Sequence, residues 1–238
     1  MVNYAHRGAS TYYPENTLYS FYAGLHMGAD GIETDIQRTR DGVLVLFHDS
    51  TLERILGDPN RIADYTYAEL LTRDFGAFKG PAFAGERIPT LDTFLTHFAN
   101  RGLRLALELK VPGVEEGSLA LVNAHGCRDE VTFTSFKWDC LVTLRQLDRE
   151  IPAGFLTKRI TPEILDQLAE YGIGQVCPKA SETTEEDMAL AQRRGFYVRF
   201  WGIKDEADMR RAIALGGDGM TCNFPDLLCK ALQEQKSR

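Results

Sequence analysis

The sequence predicts an α/β fold of the (β/α)8 TIM-barrel class, with a hairpin and a lid-like insertion after the second strand. Short strand-like runs alternate with helical segments along almost the whole chain, a pattern typical of a parallel sheet joined by crossover helices. Eight such units in 238 residues agree with the size of about 250 residues that is usual for this barrel. We expect one domain over residues 1–238, with residues 50–89 as an insertion or lid over the barrel mouth.

Each predicted strand is a short apolar run, and a segment with helical periodicity follows it. The predicted strands are Val2–His6, Gly31–Asp35, Arg104–Leu109, Val131–Phe136, Ala153–Leu156, Gly174–Pro178, Tyr197–Trp201 and Gly219–Cys222. The predicted helices include Thr17–Met27, Leu91–Ala99, Trp138–Leu147, Pro162–Tyr171, Glu185–Arg194, Glu206–Leu215 and Pro225–Gln235. Pro162 and Pro225 stand where a helix begins, which is a favoured place for proline. Asn16 is predicted to cap the first helix.

A ninth strand-like run, Val43–His48, follows the second strand after a link too short for a crossover helix. The tripeptide Arg-Asp-Gly at residues 40–42 carries a hairpin turn signal. We therefore expect a hairpin on the barrel mouth, while an alternative count makes this run a barrel strand proper. Residues 50–89 are rich in Gly, Pro and Phe, and long segments of this kind are usually lids or binding loops.

The charge balance excludes some classes of partner. With 27 basic and 34 acidic residues the net charge is −7, which argues against nucleic-acid binding, because that function needs a basic face. No apolar run approaches the roughly 18–20 residues of a membrane span, and no signal peptide is expected. Five cysteines without a Cys-x-x-Cys pair predict neither disulfides nor a zinc site, so we expect a reducing compartment, the cytoplasm. The sequence leaves a homo-oligomer open.

Acidic residues gather at the predicted strand ends, where barrels of this class carry their reactive groups. Glu33 and Asp35 are two apart on one strand, so both carboxylates face the same side, and Glu108 lies at the end of the next core strand. Their mutual repulsion in an apolar barrel would be relieved by a divalent cation. Oxygen ligands suit Mg²⁺ or Ca²⁺ better than zinc. The competing interpretation is rim carboxylates paired with neighbouring basic residues.

Basic and aromatic residues at the strand ends complete the predicted site. His6 and His48 can supply a general base and a general acid on opposite sides of a reacting centre, and their order is left open. Arg7 and Lys110 flank the acids and suit a phosphoryl group, although they could pair with the same carboxylates. Trp201 either walls an apolar part of the pocket or lies in the core.

These motifs resemble those of the glycerophosphodiester phosphodiesterase family, a group of phospholipase C-like TIM barrels. The matching blocks are Ala5–Ala9, Pro14–Thr17, Glu33–Asp35, Thr39–Gly42, His48-Asp49, Glu108–Lys110, Asp218-Gly219 and, with one residue inserted, Thr221–Pro225. The resemblance covers nearly the whole chain. It implies the metal ligands Glu33, Asp35 and Glu108, the acid–base pair His6 and His48, the phosphate-binding residues Arg7 and Lys110, and a site-ordering role for Glu15.

Two departures from the family pattern affect the expected substrate. Gly202-Ile203 stands where the family often has Thr-Val, and Ile55-Leu56 stands where it often has threonines. Both positions are expected to lie near the head group of the substrate. The expected reaction is metal-dependent hydrolysis of glycerophosphodiesters to glycerol 3-phosphate and an alcohol, through a cyclic phosphate.

The sequence is also compatible with other functions. One is a related phosphodiesterase acting on lysophospholipids or sugar phosphodiesters, although the short segment of residues 50–89 favours soluble substrates. Another is a non-catalytic phosphate-binding barrel, which would not need two histidines. A metal-dependent amidohydrolase barrel usually carries His-x-His on its first strand, and the sequence His-Arg-Gly at residues 6–8 lacks it.

Overall fold

The computed structural model describes residues 1–236 and shows a closed barrel of eight parallel strands, which confirms the predicted fold class. The strands are β1 Val2–His6, β2 Gly31–Arg38, β3 Leu44–Leu46, β4 Arg104–Leu109, β5 Val131–Ser135, β6 Ala153–Thr157, β7 Gln175–Pro178, β8 Tyr197–Phe200 and β9 Gly219–Cys222. The barrel closes because β1 pairs in parallel with both β2 and β9, as in the pairs Tyr4–Gly31 and Ala5–Cys222.

Ten α-helices are present in the described residues, and most lie between successive strands. They are α1 Leu18–His26, α2 Glu53–Leu56, α3 Tyr67–Leu70, α4 Leu91–Phe98, α5 Glu115–Ala124, α6 Trp138–Leu147, α7 Pro162–Glu170, α8 Glu185–Arg193, α9 Glu206–Leu215 and α10 Pro225–Lys236. Helices α2, α3 and α5 were not predicted from the sequence. None of these helices combines the length and the apolar character needed to cross a membrane.

The cap of α1 differs from the prediction. Thr17 is the N-cap residue, with extended backbone angles and a side chain that accepts a hydrogen bond from the Ser20 amide. Asn16 instead has a positive φ of 54°, and its side chain turns into the barrel. The prediction that Asn16 caps this helix is therefore wrong.

Alternation along the strands decides which side chains enter the barrel. Ile32 and Ile36 of β2 pack into the main hydrophobic core between sheet and helices. Glu33 and Asp35 have the opposite parity, so both face the barrel interior. In β4 the leucines likewise pack outward and Glu108 faces inward. The apolar pattern that buries the strands thus also directs the three acids to one place.

The run after β2 forms a hairpin and is not a barrel strand. β2 continues to Arg38, three residues beyond the predicted end, and β3 pairs with it antiparallel, with Leu46 opposite Ile36. Because β2 also pairs directly with β1 and β4, the barrel has no place for β3. The alternative prediction, in which Val43–His48 is a strand of the barrel, is therefore wrong.

Residues 50–89 pack around a small apolar cluster of their own. This cluster joins the hairpin to the short helices α2 and α3, and its buried members are Val45, Phe47, Leu52, Ile55, Ile62, Leu70, Phe75 and Ile88. Ile55 is thus a core residue of the insertion, which explains an aliphatic side chain at this position in terms of packing.

Candidate active site

Three buried carboxylates, from the middle of β2 and the C-terminal end of β4, meet inside the barrel. Asp35 lies opposite Glu108 in the parallel register, and Glu33 is two residues before Asp35 on the same strand face. One carboxylate oxygen from each residue lies within 4.8 Å of the others. The structure therefore brings together the three predicted metal ligands.

The surroundings of this acidic triad, Glu33, Asp35 and Glu108, oppose its full ionisation. Burial, together with the charges of Asp35 and Glu108, raises the pKa of Glu33 to about 8. Burial also raises the pKa of Glu108, with Asp35 adding to the effect. For Asp35, burial opposes ionisation, but Arg7 and Lys110 hold the pKa of this carboxyl well below its usual range. At neutral pH the triad thus holds at least one carboxyl group that its surroundings keep from ionising freely.

Two oxygens of the triad have no hydrogen-bond donor among the described residues. They are Glu33 Oε2 and Asp35 Oδ1, both inaccessible to solvent. Buried polar atoms are normally satisfied, because an unpaired one costs free energy. Carboxylate oxygens that converge without donors suit a hard divalent cation. The residues present therefore fit the cation that the sequence predicts.

Two cations flank the triad as predicted. Arg7 Nε lies 3.2 Å from Asp35 Oδ2, and Lys110 Nζ lies 2.8 Å from Glu108 Oε1 and 3.5 Å from Asp35 Oδ1. The ion pairing that the sequence analysis considered is thus present. Arg7 also lines the cavity described below, so pairing does not remove it from contact with a ligand.

Arg7 is held in a restricted conformation by its surroundings. Its φ is 55°, an uncommon value for a residue with a side chain. Its amide donates to Glu33 O (2.8 Å), its carbonyl accepts from Ser20 Oγ (2.8 Å), and its Nη1 donates to Glu15 Oε1 (2.9 Å). Glu15 is therefore placed behind Arg7, where it orients the guanidinium.

His6 is held by an amide oxygen. Its Nδ1 lies 2.5 Å from Asn223 Oδ1, which can only accept, so Nδ1 carries the proton and the lone pair is on Nε2. This Nε2 lies 3.7 Å from Glu33 Oε2. Burial, aided by the charge of Arg7, lowers the pKa of His6 to about 3. The imidazole is neutral at neutral pH, with its free nitrogen toward the triad.

His48 has a different partner. Its Nδ1 lies 2.7 Å from Asp49 Oδ1, and Arg54 Nε donates to the other Asp49 oxygen at 2.7 Å. Arg54 also binds both oxygens of Glu15, at 2.7 and 2.8 Å. Burial lowers the pKa of His48, although the Asp49 carboxylate favours the protonated ring. A chain of ion pairs thus links His48 to the insertion and to Arg7.

Several residues of the site were not predicted from the sequence. Asn16 donates to Asp35 Oδ2 at 3.0 Å, and Asn223 orients His6. Arg199 is buried in the barrel, where it donates to Thr221 Oγ1 at 2.6 Å. Burial opposes ionisation of Arg199, yet neighbouring groups that include Glu33 raise its pKa. The sequence pattern that could have indicated Arg199 is a charged residue between the apolar residues of β8.

One cavity of about 570 Å³ is lined by both histidines and by Glu33 and Glu108 of the triad, while Asp35 is fully buried and does not line it. Its other half is lined by Phe136, Leu156, Lys179, Trp201, Ile203 and Lys204. The ring of Trp201 packs edge-on against Phe136 at 5.0 Å, and its indole N–H donates to Thr157 O at 3.0 Å. Of the two interpretations of Trp201, the structure supports the pocket wall.

The fold and the site together define a barrel enzyme in which two histidines face a carboxylate cluster inside one cavity. The sequence model of the Glycerophosphoryl diester phosphodiesterase family matches residues 6–227. The chain therefore belongs to this family and is an enzyme of the phosphodiester-hydrolysing class, which confirms the resemblance seen in its motifs.

Individual relatives match over nearly the whole chain. A glycerophosphodiester phosphodiesterase of Bacillus subtilis (strain 168) is 30% identical, with 97% of this chain and 86% of that protein covered. One from Caldanaerobacter subterraneus subsp. tengcongensis is 29% identical, with 97% of each covered. Among solved structures, an Oleispira antarctica phosphodiesterase in complex with the product sn-glycerol-3-phosphate has a TM-score of 0.90 and 28% identity, covering 98% of this chain and 97% of that one.

Proposed function

We propose that the protein hydrolyses glycerophosphodiesters to glycerol 3-phosphate and an alcohol, with Mg²⁺ or Ca²⁺ held by Glu33, Asp35 and Glu108. The observation that carries this proposal is a single cavity lined by both histidines and by Glu33 and Glu108, whose carboxylate oxygens cluster with that of the buried Asp35. The Oleispira relative, whose complex contains glycerol 3-phosphate, supports a product of this chemistry.

The basic residues of the site are proposed to bind the phosphate. Arg7 offers a guanidinium that can donate to two phosphoryl oxygens, while Lys110 acts as a compact charge. Glu15 orients Arg7, and Trp201 contacts the departing alcohol. When bound, a divalent cation supplies Lewis acidity toward the phosphoryl group.

The two histidines are proposed to differ in role because their partners differ. His6 is neutral and exposes Nε2, so it removes the proton from the glycerol 2-hydroxyl, whose oxygen attacks phosphorus. His48 is supported by the carboxylate of Asp49, which stabilises the protonated ring, so it protonates the oxygen of the departing alcohol. A water molecule then opens the five-membered cyclic phosphate, with the roles of the two rings reversed.

The segment of residues 50–89 is proposed to act as a lid within a single domain. Arg54 supports this role, because it binds Glu15 and Asp49, which lie directly behind Arg7 and His48. A change in the position of α2 would therefore be transmitted to both residues. We retain the cytoplasm as the proposed compartment, since the five cysteines are free thiols.

The first test is an assay of turnover. Glycerol 3-phosphate should be released from glycerophosphoglycerol and glycerophosphocholine when Mg²⁺ or Ca²⁺ is present. Enzyme-coupled detection of glycerol 3-phosphate measures the rate, and a boiled sample provides the background. If neither diester is cleaved with either cation, the proposed function is wrong.

The second test concerns the attacking group. Attack by the glycerol 2-hydroxyl occurs within one bound molecule and benefits from proximity. A 2-deoxy diester should therefore bind through Arg7 and Lys110 but not release its alcohol. The cyclic glycerol phosphate should be hydrolysed by the same enzyme, because it is the substrate of the second step. Phosphorus NMR during turnover follows both compounds.

Direct attack by water makes the opposite prediction. It allows near-normal cleavage of the deoxy diester and requires no hydrolysis of the cyclic phosphate. That pattern would overturn the proposed order of steps while leaving the metal site unaffected.

A further inference from the structure

The half of the cavity away from the acidic triad is basic. Lys179 and Lys204 are its charged lining residues, and they stand beside the aromatic walls Phe136 and Trp201. Glu33 and Glu108 are the carboxylates that line the cavity within residues 1–236, and both belong to the triad. A group that extends from the reacting phosphorus past Trp201 therefore meets positive charge.

The position of Lys179 depends on a glycine. Lys179 follows β7, and its amide donates to Thr157 O at 3.1 Å. Its aliphatic stem lies against Gly202, where an added Cβ would be 3.1 Å from Lys179 Cγ, and Gly202 has a φ of +76°. A threonine, which the family often has at this position, would press on the stem. The glycine at position 202, where the family pattern often has threonine, thus leaves room for the side chain of Lys179.

The charge of Lys179 is only partly compensated. Its Nζ lies 3.7 Å from Glu182 Oε1, beyond hydrogen-bond distance, and the other oxygen of Glu182 accepts from Arg159 at 3.3 Å. The half-buried carboxylate of Glu182 is thus shared by two cations. Lys204 has no ion pair within 4 Å in the described part of the chain. The two lysines therefore give this half of the cavity a net positive charge.

We propose that Lys179 and Lys204 form a leaving-group site that selects diesters whose departing alcohol carries a negative charge, such as a second phosphate. This inference rests on the proposed function and names the substrate class. The aromatic walls contact the carbon atoms of the alcohol. A quaternary ammonium group would gain a cation–π contact with Trp201 but would also be repelled by two ammonium groups nearby.

Three diesters with the same glycerol 3-phosphate end test the proposal. They are bis(glycerophospho)glycerol, glycerophosphoglycerol and glycerophosphocholine, whose departing alcohols are anionic, neutral and cationic. At low salt, kcat/KM from initial rates should fall in that order, by about tenfold from the first to the last. The preference should shrink at about 0.5 M salt, because screening weakens charge recognition.

Variants assign the preference to particular residues. Lys179→Met should lower kcat/KM for the anionic diester by about tenfold, and much less for the neutral one. Lys230→Met is the matched control, because Lys230 is exposed on α10 and does not line the cavity, so it should leave the order and the rates unchanged. Gly202→Thr should lower kcat/KM for the anionic diester as Lys179→Met does. If Gly202→Thr does not fold, Lys204→Met provides an independent measure of the charge preference.

Three results would overturn the inference. One is equal kcat/KM for the three diesters, another is preference for the cationic one, and the third is an equal loss for all three in Lys179→Met. Dissociation constants from tryptophan fluorescence, measured in the presence of a chelator, ask the same question without turnover. If no diester is cleaved, the proposed function fails, while the order of these dissociation constants still decides the charge preference.

Discussion

Removal of the divalent cation, or of any carboxylate proposed to hold it, should lower kcat by at least about 10³-fold, because Lewis-acid stabilisation contributes several kcal/mol. Glu33→Gln, Asp35→Asn and Glu108→Gln keep the size of each side chain and remove one ligand charge. Chelation followed by assay, with metal content from elemental analysis, measures the effect. Glu116→Gln is the control, since Glu116 is an exposed acid on α5 outside the cavity.

In the metal-free protein, Glu33→Gln should raise stability, although it lowers activity. Burial raises the pKa of Glu33 from 4.5 to about 8, so this carboxyl is destabilising when ionised. Its unfavourable contribution begins above the unfolded pKa and grows as the pH rises toward 8. Glu33→Gln lacks this contribution, so its Tm should exceed that of the parent at pH 8 and approach it near pH 4.5.

Two outcomes would contradict the assignment of the triad. Full activity after exhaustive chelation, with no metal left in the sample, would exclude a role for the cation. A Glu33→Gln variant that is both inactive and less stable at pH 8 would indicate that Glu33 supports the fold instead.

Substitution of either histidine should impair chemistry far more than binding. His6→Ala and His48→Ala should each lower kcat by about 10²- to 10⁴-fold, the usual effect of losing a general acid or base. KM should stay within a few-fold of the parent, because the proposed phosphate ligands Arg7 and Lys110 are unchanged in both variants. His26→Ala is the matched control, since His26 is exposed on α1.

A p-nitrophenyl diester separates the two histidines. Its leaving group departs without protonation, so His48→Ala should recover most of its activity on this substrate, whereas His6→Ala should not. Recovery by His6→Ala alone would reverse the proposed roles. A variant with near-parental kcat on the natural diesters would remove that histidine from the mechanism.

The inward-facing acids were predictable from sequence because strand geometry is local. Residues two apart on one strand, such as Glu33 and Asp35, lie on the same face. Neighbouring parallel strands end at the same rim of the barrel, so Glu108 was expected to lie close to both. His6, at the end of β1, follows from the same argument. β1 and β2 are consecutive parallel strands that pair directly, which places His6 opposite Glu33.

The partners of these residues were not predictable in this way. Asn223 orients His6 across a separation of 217 residues, which no local pattern encodes. Asn16 was wrongly predicted as a helix cap because its hydrogen bond to Asp35 is a tertiary contact. The helix α5 was missed since Gly117 weakens its pattern, yet a Cβ there would lie 3.2 Å from Leu44, so the glycine permits close packing against β3.

The buried Arg199 changes the charge count of the barrel interior. Together with Arg7 and Lys110 it sets three cations against the three carboxylates of the triad. When all three carboxyl groups are ionised, their charges equal those of the three cations, so the charge balance of the interior does not depend on a bound metal ion, unlike that of small zinc domains that stay unfolded without their metal. We therefore expect the chain to fold without the proposed cation and to keep its shape when that cation is removed or exchanged for another.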